Sequence, residues 1–177
     1  DRSSPTAVKT SVLFKDIDAG TFHTCGIASV GGAVYCWGKN SLTNTDQNLL
    51  GDRKATASSV PVKVVDLTGA NAISVSGNHS CAIFGAQEQV SCWGYDSFKS
   101  GHLGVGPATT AASKQPVIVL TAAGSKLGSV KAISTGSLHT CMLFGTGKMR
   151  CVGKAQRGQL GTGHAFYPYA HKVTELN

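Results

Sequence analysis

Three stretches decide the fold: IDAGTFHTC (17–25), ISVSGNHSC (73–81) and ISTGSLHTC (133–141). In each, an Ile lies six residues before a His and a Cys lies two after it, and the His positions 23, 79 and 139 step by 56 and 60 residues. Working outward, a second block follows each: VYCWG (34–38), VSCWG (90–94) and MRCVG (149–153). A third block is LLG (49–51), HLG (102–104) and QLG (159–161), and a fourth is VPVKVVDL (60–67), QPVIVL (115–120) and HKVTEL (171–176). Four blocks in one order, three times over, define a repeat protein whose units bury apolar faces against their neighbours.

Each block reads as a strand. HTCGIA and VYCWG alternate in polarity and are rich in β-branched or aromatic residues, and turn residues such as Gly31-Gly32 lie between them, as in a β-hairpin. The fourth block opens near a Pro, which suits a strand start or an outer edge. No segment shows a helical period. The expected fold is all-β: three four-stranded, β-propeller-type blades, with residues 1–16 an N-terminal strand or tether and repeats at 17–67, 68–122 and 123–177. AVKTSVLF (7–14) reads as the outer strand of a preceding blade or a strand swapped in an assembly. Three blades leave two terminal faces open, so a ring closed by homo-oligomerisation is expected, the trimer favoured over the dimer.

The chain of 177 residues is 41% hydrophobic and only 14% charged, which provides a core and argues against disorder or a coiled coil. It has no apolar run long enough to span a membrane, and the start DRSSPTAVKT lacks the apolar core of a signal peptide, so any such leader is expected to have been removed or to lie outside this sequence. Of the net charge of +7, residues 121–177 carry most, with seven basic residues and one acid. That asymmetry suits an acidic partner, although no basic run exceeds two residues, and nucleic acid is the less favoured partner.

The six cysteines fall in pairs, Cys25/Cys36, Cys81/Cys92 and Cys141/Cys151, on the two arms of each hairpin. If Cys25 faces Cys36, Ile27 faces Val34; the same register sets Cys81 against Cys92 and Ile83 against Val90. Directly opposed residues lie within disulfide reach, so three hairpin disulfides are expected. Metal sites favour clustered CxxC or HxxxH spacings and redox centres a CxxC, and none occurs, so no metal or cofactor is expected. Paired cysteines point to an oxidising compartment: the cell surface, the exterior or a periplasm.

The pattern G-x-x-H-[TS]-C, then C-W-G, then G-Q-L-G-T-G (158–163) and P-V-x-V resembles the repeats of the regulator of chromosome condensation family, over roughly residues 12–176. The paired cysteines resemble an exported, bacterial-type branch. The resemblance implies a β-propeller, usually of seven blades, in a family that includes guanine nucleotide exchange factors, chromatin binders, receptors and protein inhibitors of β-lactamase. Departures are Val152 in place of Trp37 and Trp93, Gly77 one residue late relative to His79, and a Ser/Thr/Asn-rich excursion over 39–59.

The three His could ring a central channel as metal ligands; the family repeat favours buried ties between blades, on inner strands. Likewise it favours blade core over sugar stacking for Trp37 and Trp93. The stretches YDSFKSGH (95–102) and HAFYPYAHK (164–172), expected as connecting loops, supply the candidate ligand-binding residues Tyr95, Phe98, His102, His164, Phe166, Tyr167 and Tyr169, joined by Lys154 and Arg157. No catalytic motif is present and no catalytic residue is expected. The leading expectation is an extracellular or cell-surface binding module, adhesin-like or at a fibre tip, recognising a glycan or protein. The alternatives are a secreted inhibitor or receptor fragment and a nuclear exchange factor or chromatin binder.

Overall fold

The computed structural model describes residues 3–41, 48–96, 100–106 and 112–162, and the backbone of 166–172. Three antiparallel four-stranded sheets follow one another along the chain. The first holds β1 (Phe14–Ala19), β2 (His23–Ala28), β3 (Val34–Gly38) and β4 (Ser58–Lys63). The second holds β5 (Ala70–Val75), β6 (His79–Phe84), β7 (Gln89–Tyr95) and β8 (Ala112–Ile118), and the third β9 (Val130–Thr135), β10 (His139–Phe144), β11 (Met149–Lys154) and β12 (Phe166–Lys172). Within each sheet the strands keep chain order, so each sheet is a meander and a blade. Between blades, β5 lies against β1 and β2, and β9 against β5 and β6, while the fourth strands form the outer edges.

The hairpin register is the one the cysteines predict. Cys25 pairs with Cys36 and Ile27 with Val34; Cys81 pairs with Cys92 and Ile83 with Val90; Cys141 pairs with Cys151. All six cysteines are disulfide-bonded, and each pair spans 4.1 Å between Cα atoms.

Alternation along each strand gives every blade two apolar faces, and each interior face packs on its neighbour. Ile27, Val34, Cys36, Leu50 and Val64 of the first blade meet Ile73, Val75, Ala82 and Trp93 of the second. Ile83, Val90, Cys92, Leu103 and Val119 of the second meet Val130, Met142 and Val152 of the third. Val152 thus fills the place that Trp93 takes one interface earlier. Trp93 is fully buried and donates from Nε1 to the Leu49 carbonyl at 3.1 Å, which makes it blade core. The third sequence block has a steric reason here: Gly51 sits at φ 66°, and a Cβ there would meet Trp93 at 2.7 Å. The glycines of the second block, Gly38, Gly94 and Gly153, share φ values of 112–114°, where their backbones press on the carbonyls of Phe22, Asn78 and Leu138.

Four expectations change. Residues 3–13 form no strand, and β1 opens at Phe14 inside the expected tether. HAFYPYAHK is largely the outer strand β12 rather than a loop, because its backbone pairs with β11 from Lys154↔Phe166 to Arg150↔Lys172. Of HKVTEL, only His171 and Lys172 fall in that strand, and 173–176 lie outside the described residues. The real fourth block is the proline: Pro61, Pro116 and Pro168 all fall where the outer strand's register slips against its neighbour. A bulge tolerates a residue with no amide proton, so the Pro sits within the strand and not at its start. Finally, His23, His79 and His139 open the second strand of each blade, not the innermost one.

Each disulfide closes a hairpin of ten or eleven residues, which the chain-entropy picture values at about 2–3 kcal/mol. Replacing Cys81 and Cys92 together by Ala should lower unfolding stability by that amount in chemical denaturation. Non-reducing peptide mapping of the native chain should find three intra-hairpin links and none between blades.

Candidate binding face

The chain turns from the first to the second strand of each blade at one end of the molecule. Three equivalent bonds close these turns: the amides of Gly20, Ser76 and Gly136 donate to the carbonyls of His23, His79 and His139, each at 2.9 Å. The three turns surround an open depression of about 470 Å³, floored by small and hydroxyl-bearing residues that include Thr21, Ser76, Thr135 and Ser137. The third strands end beside it. Lys39 N donates to Phe22 O at 2.9 Å, Tyr95 N to Asn78 O at 2.8 Å and Lys154 N to Leu138 O at 2.9 Å. The rim therefore carries Phe22, Asn78 and Leu138 with Lys39, Tyr95 and Lys154 behind them. The Lys39 ammonium lies 5.2 Å from the centre of the exposed Phe22 ring, and Asn78 Nδ2 donates to Ser137 O at 3.0 Å.

Below this rim the blades are tied by imidazoles. His23 Nε2 lies 2.7 Å from Ser80 Oγ, and His79 Nε2 lies 2.7 Å from Thr140 Oγ1. Both contacts are buried and cross from one blade to the next. The hydroxyl is the residue after the next repeat's His, so the H-[TS]-C motif supplies both halves of the tie. Ser76 stands where the other repeats have Gly20 and Gly136; its Oγ lies 2.9 Å from His79 Nδ1, so both ring nitrogens of His79 have partners. His23 has no such serine, and its Nδ1 is buried without a partner. In the second repeat a serine that serves His79 thus replaces the usual glycine, and Gly77 takes the next position, where the other repeats have Thr21 and Ser137.

The second repeat adds His102, whose ring centre lies 4.5 Å from that of His79. Its Nε2 is 2.7 Å from the Tyr95 carbonyl, and its Nδ1 is 2.8 Å from Ser100 Oγ and 3.2 Å from Asp96 Oδ1. Asp96 also takes the Gly101 amide at 2.9 Å. Asn40, at the same place in the first repeat, does similar work: its side chain accepts from Leu50 N at 2.9 Å and donates to the carbonyls of Lys54 and Thr56.

Burial sets the charge of these imidazoles. It holds His23 down at a pKa of about 4 and pushes His79 well below its ordinary value, with the nearby His102, His23 and His139 adding to the effect on His79. Burial also lowers His102, opposed by Asp96 and the Tyr95 carbonyl, and lowers His139. At neutral pH the ties are neutral hydrogen bonds, with Nε2 committed to hydroxyls.

The sequence-chosen residues separate accordingly. Tyr95 and Lys154 lie on the rim, at equivalent repeat positions. Arg157 is exposed in the loop that leaves β11 at the same end, and β12 begins there with Phe166 and Tyr167; Tyr169 lies further along that strand. His102 is fully buried between blades and so cannot meet a surface ligand. Phe98 and His164 lie outside the described residues. Phe22, Lys39, Asn78 and Leu138 are not among the expected residues. Their signal is the position before each His and after each C-[WV]-G, which varies while the flanking motif repeats.

A profile of the regulator of chromosome condensation (RCC1) repeat matches residues 14–42 and 130–159. A Drosophila melanogaster protein named Regulator of chromosome condensation is 30% identical over 149 residues, 82% of this chain and 24% of that protein. The chain thus carries repeats of the regulator of chromosome condensation family. Its RCC1 blades superpose on Prp20p of Saccharomyces cerevisiae with a TM-score of 0.74, 14% identity, and coverage of 92% of this chain and 38% of that one. The ectodomain of the Physcomitrella patens receptor kinase CR4 matches with a TM-score of 0.53, 20% identity, and coverage of 95% and 36%. At such identities the likeness is one of fold. The RCC1 repeats here span about a quarter of the curated relative's length.

The imidazole ties give a pH dependence of defined sign. The folded pKa values lie below the unfolded one, so the unfolded chain takes up protons first on acidification. The stability from neutral His is fully present above about pH 6.5 and is lost as pH falls from there through the lowered folded values, near 4 for His23. Between pH 7 and pH 5 His23 should cost the fold about 2 kcal/mol. Urea unfolding at both pH values should show this loss, and His23→Gln should reduce it, whatever that change does to stability at pH 7.

Proposed function

We propose that this chain is a binding module of an RCC1-type propeller that works in an oxidising compartment, outside the cell or at its surface, and engages a protein partner with the rim face. The observation that carries the reading is the set of three disulfides, which uses every cysteine in the chain. Cytosolic and nuclear thiols are held reduced, whereas a secreted fold gains from such staples. The ectodomain of CR4 offers a precedent for the fold in a receptor kinase ectodomain. A rigid scaffold that presents variable rim residues from repeated turns suits recognition rather than chemistry.

The charge of the face defines the partner. Lys39, Lys154 and Arg157 lie at this end, and among the described residues of the rim turns and of the loops that leave β3, β7 and β11 there, the carboxylates are the buried Asp52 and Asp96. The face therefore suits an acidic protein surface, with aromatic contact from Phe22 and Tyr95. A glycan ligand is the second reading. Association of copies through the end blades is part of the same proposal. The intracellular alternative draws on Prp20p, studied for its binding to Gsp1p and histones. It requires thiols where this chain has disulfides.

Thiol titration of denatured chain isolated from its native source decides the compartment. Zero reactive thiols are expected, and six would overturn an oxidising location. Pull-down from the extracellular fraction, run beside a glycan array, decides the partner class. Lys39→Glu with Lys154→Glu should weaken capture at least tenfold at physiological salt, and capture by the unaltered chain should fade as salt rises. Capture indifferent to both would remove the rim as the contact.

A further inference from the structure

The third sequence block runs L-G-x-G in two repeats, Leu103-Gly104-Val105-Gly106 and Leu160-Gly161-Thr162-Gly163, but the first repeat reads Leu50-Gly51-Asp52-Arg53. The last position is left-handed: φ is 99° at Gly106 and 63° at Arg53. Glycine adopts that backbone freely, whereas an Arg is strained in it. Such strain persists only where neighbouring groups hold it, and it clusters at binding sites. Here the holding bonds are specific. The Arg53 amide donates to the Lys114 carbonyl at 3.0 Å, Nε donates to Gln115 Oε1 at 2.6 Å, and Nη2 is paired with the Asp66 carboxylate. Asp66 is itself left-handed, with φ 53°.

These bonds pin the loop after β3 to β8, the outer strand of the second blade, so both walls of this seam belong to the chain itself. Arg53, Lys63 and Asp66 line a recess of about 240 Å³ there, together with Val64 and Val65. The exposed Lys54 follows Arg53 in the loop, and the exposed Lys114 faces it across the seam. Against these four cations stand two carboxylates: Asp66, bound to Arg53, and the largely buried Asp52, whose Oδ1 accepts the Lys54 amide at 3.0 Å. Two of the guanidinium's five N–H groups are taken, and the other three have no acceptor among the described residues. A clamp between blades explains the two side-chain bonds that Arg53 makes. It explains neither the three open donors nor the lysines gathered round them.

We propose that this seam binds the sulfate groups of an anionic polysaccharide, one sulfate seated in the recess on Arg53 and Lys63 and the polymer running on past Lys54 and Lys114. A guanidinium held by Asp66 and Gln115 keeps an N–H edge in fixed orientation for two oxygens of a tetrahedral oxyanion, and the lysines add point charges beside it. A polymer of repeated charge meets all four cations, which a single small anion cannot. None of the residues lining the recess is aromatic, so it offers no surface on which a nucleic-acid base could stack. The choice of a polysaccharide rests on the extracellular reading given above, and the seam is a second site, apart from the rim.

Fluorescence-anisotropy titration of the whole chain with a labelled, fully sulfated heparin octasaccharide tests this at physiological salt. Binding should weaken as salt rises, and the chemically desulfated octasaccharide should bind about tenfold less tightly. Arg53→Gly restores the residue of the sister repeats and should weaken binding about tenfold with circular dichroism unchanged. Asp66→Asn keeps an acceptor for Arg53 and tolerates the left-handed backbone, and it should tighten binding about twofold by removing a competing carboxylate. Lys39→Glu with Lys154→Glu should leave binding within about twofold, because those lysines belong to the rim. Equal binding of the desulfated octasaccharide, or of a single-stranded oligonucleotide of the same charge, overturns the assignment to sulfated polysaccharide. An Arg53→Gly chain that unfolds more easily yet binds as before makes Arg53 a clamp only and overturns the site. Binding lost in the rim variant and kept in Arg53→Gly overturns it as well. None of these results bears on the thiol titration or the rim-face capture, so the two readings fail separately.

Discussion

A buried imidazole bound to a hydroxyl of the next blade is the constraint around which the rest of the fold is arranged. A β-blade presents two apolar faces, and apolar contact alone lets sheets slide over one another. A polar pair inside that contact permits only one register, because a shift would leave a donor or acceptor buried and unmatched. His23 on Ser80 and His79 on Thr140 fix two interfaces in the same way. The glycines near each His, the tight turn before it and the serine behind His79 all support the placement of that ring. The hairpin disulfide adjoining it keeps the two strands in step, so the imidazole approaches its hydroxyl from a fixed height.

Much of this is legible in the sequence because the repeat displays itself. A single H-T-C proves little; three in register, each followed ten or eleven residues later by C-[WV]-G, fix the hairpin and thereby the cysteine pairs. The outer strand is harder to place in the third repeat. VPVKV and QPVIV look alike, but FYPYAHK shares only the proline, so apolar pattern draws the eye to HKVTEL instead. The bulge explains the error: it tolerates insertions and side-chain changes while the Pro keeps its place. His102 is the opposite case. A His in a loop full of aromatics suggests a surface contact, yet it replaces Gln159 and Leu49 of the sister repeats, both part of a motif that packs between blades. Position within the repeat is a better guide than the company of neighbouring residues.

The division of labour between conserved-looking and divergent repeat positions is physical. Positions that touch the next blade recur, because every interface imposes the same geometry. Positions that face solvent at the rim do not: Phe22, Asn78 and Leu138 differ although their carbonyls accept the same bond from the strand beside them. The backbone is held in one shape while the side chain it displays is free to change. That arrangement permits new binding specificities without disturbing the stack of blades.

The prolines of the outer strands have a consequence for how such sheets behave in a crowded solution. Pro61, Pro116 and Pro168 remove an amide proton from the outermost strand of each blade and sit where its register already slips. A strand so interrupted is a poor template for another strand, which would find gaps in the ladder and a bent path to follow. Lateral accretion, the route to fibrils, is discouraged at all three margins. The outer margin of each blade is thereby closed to further sheet growth.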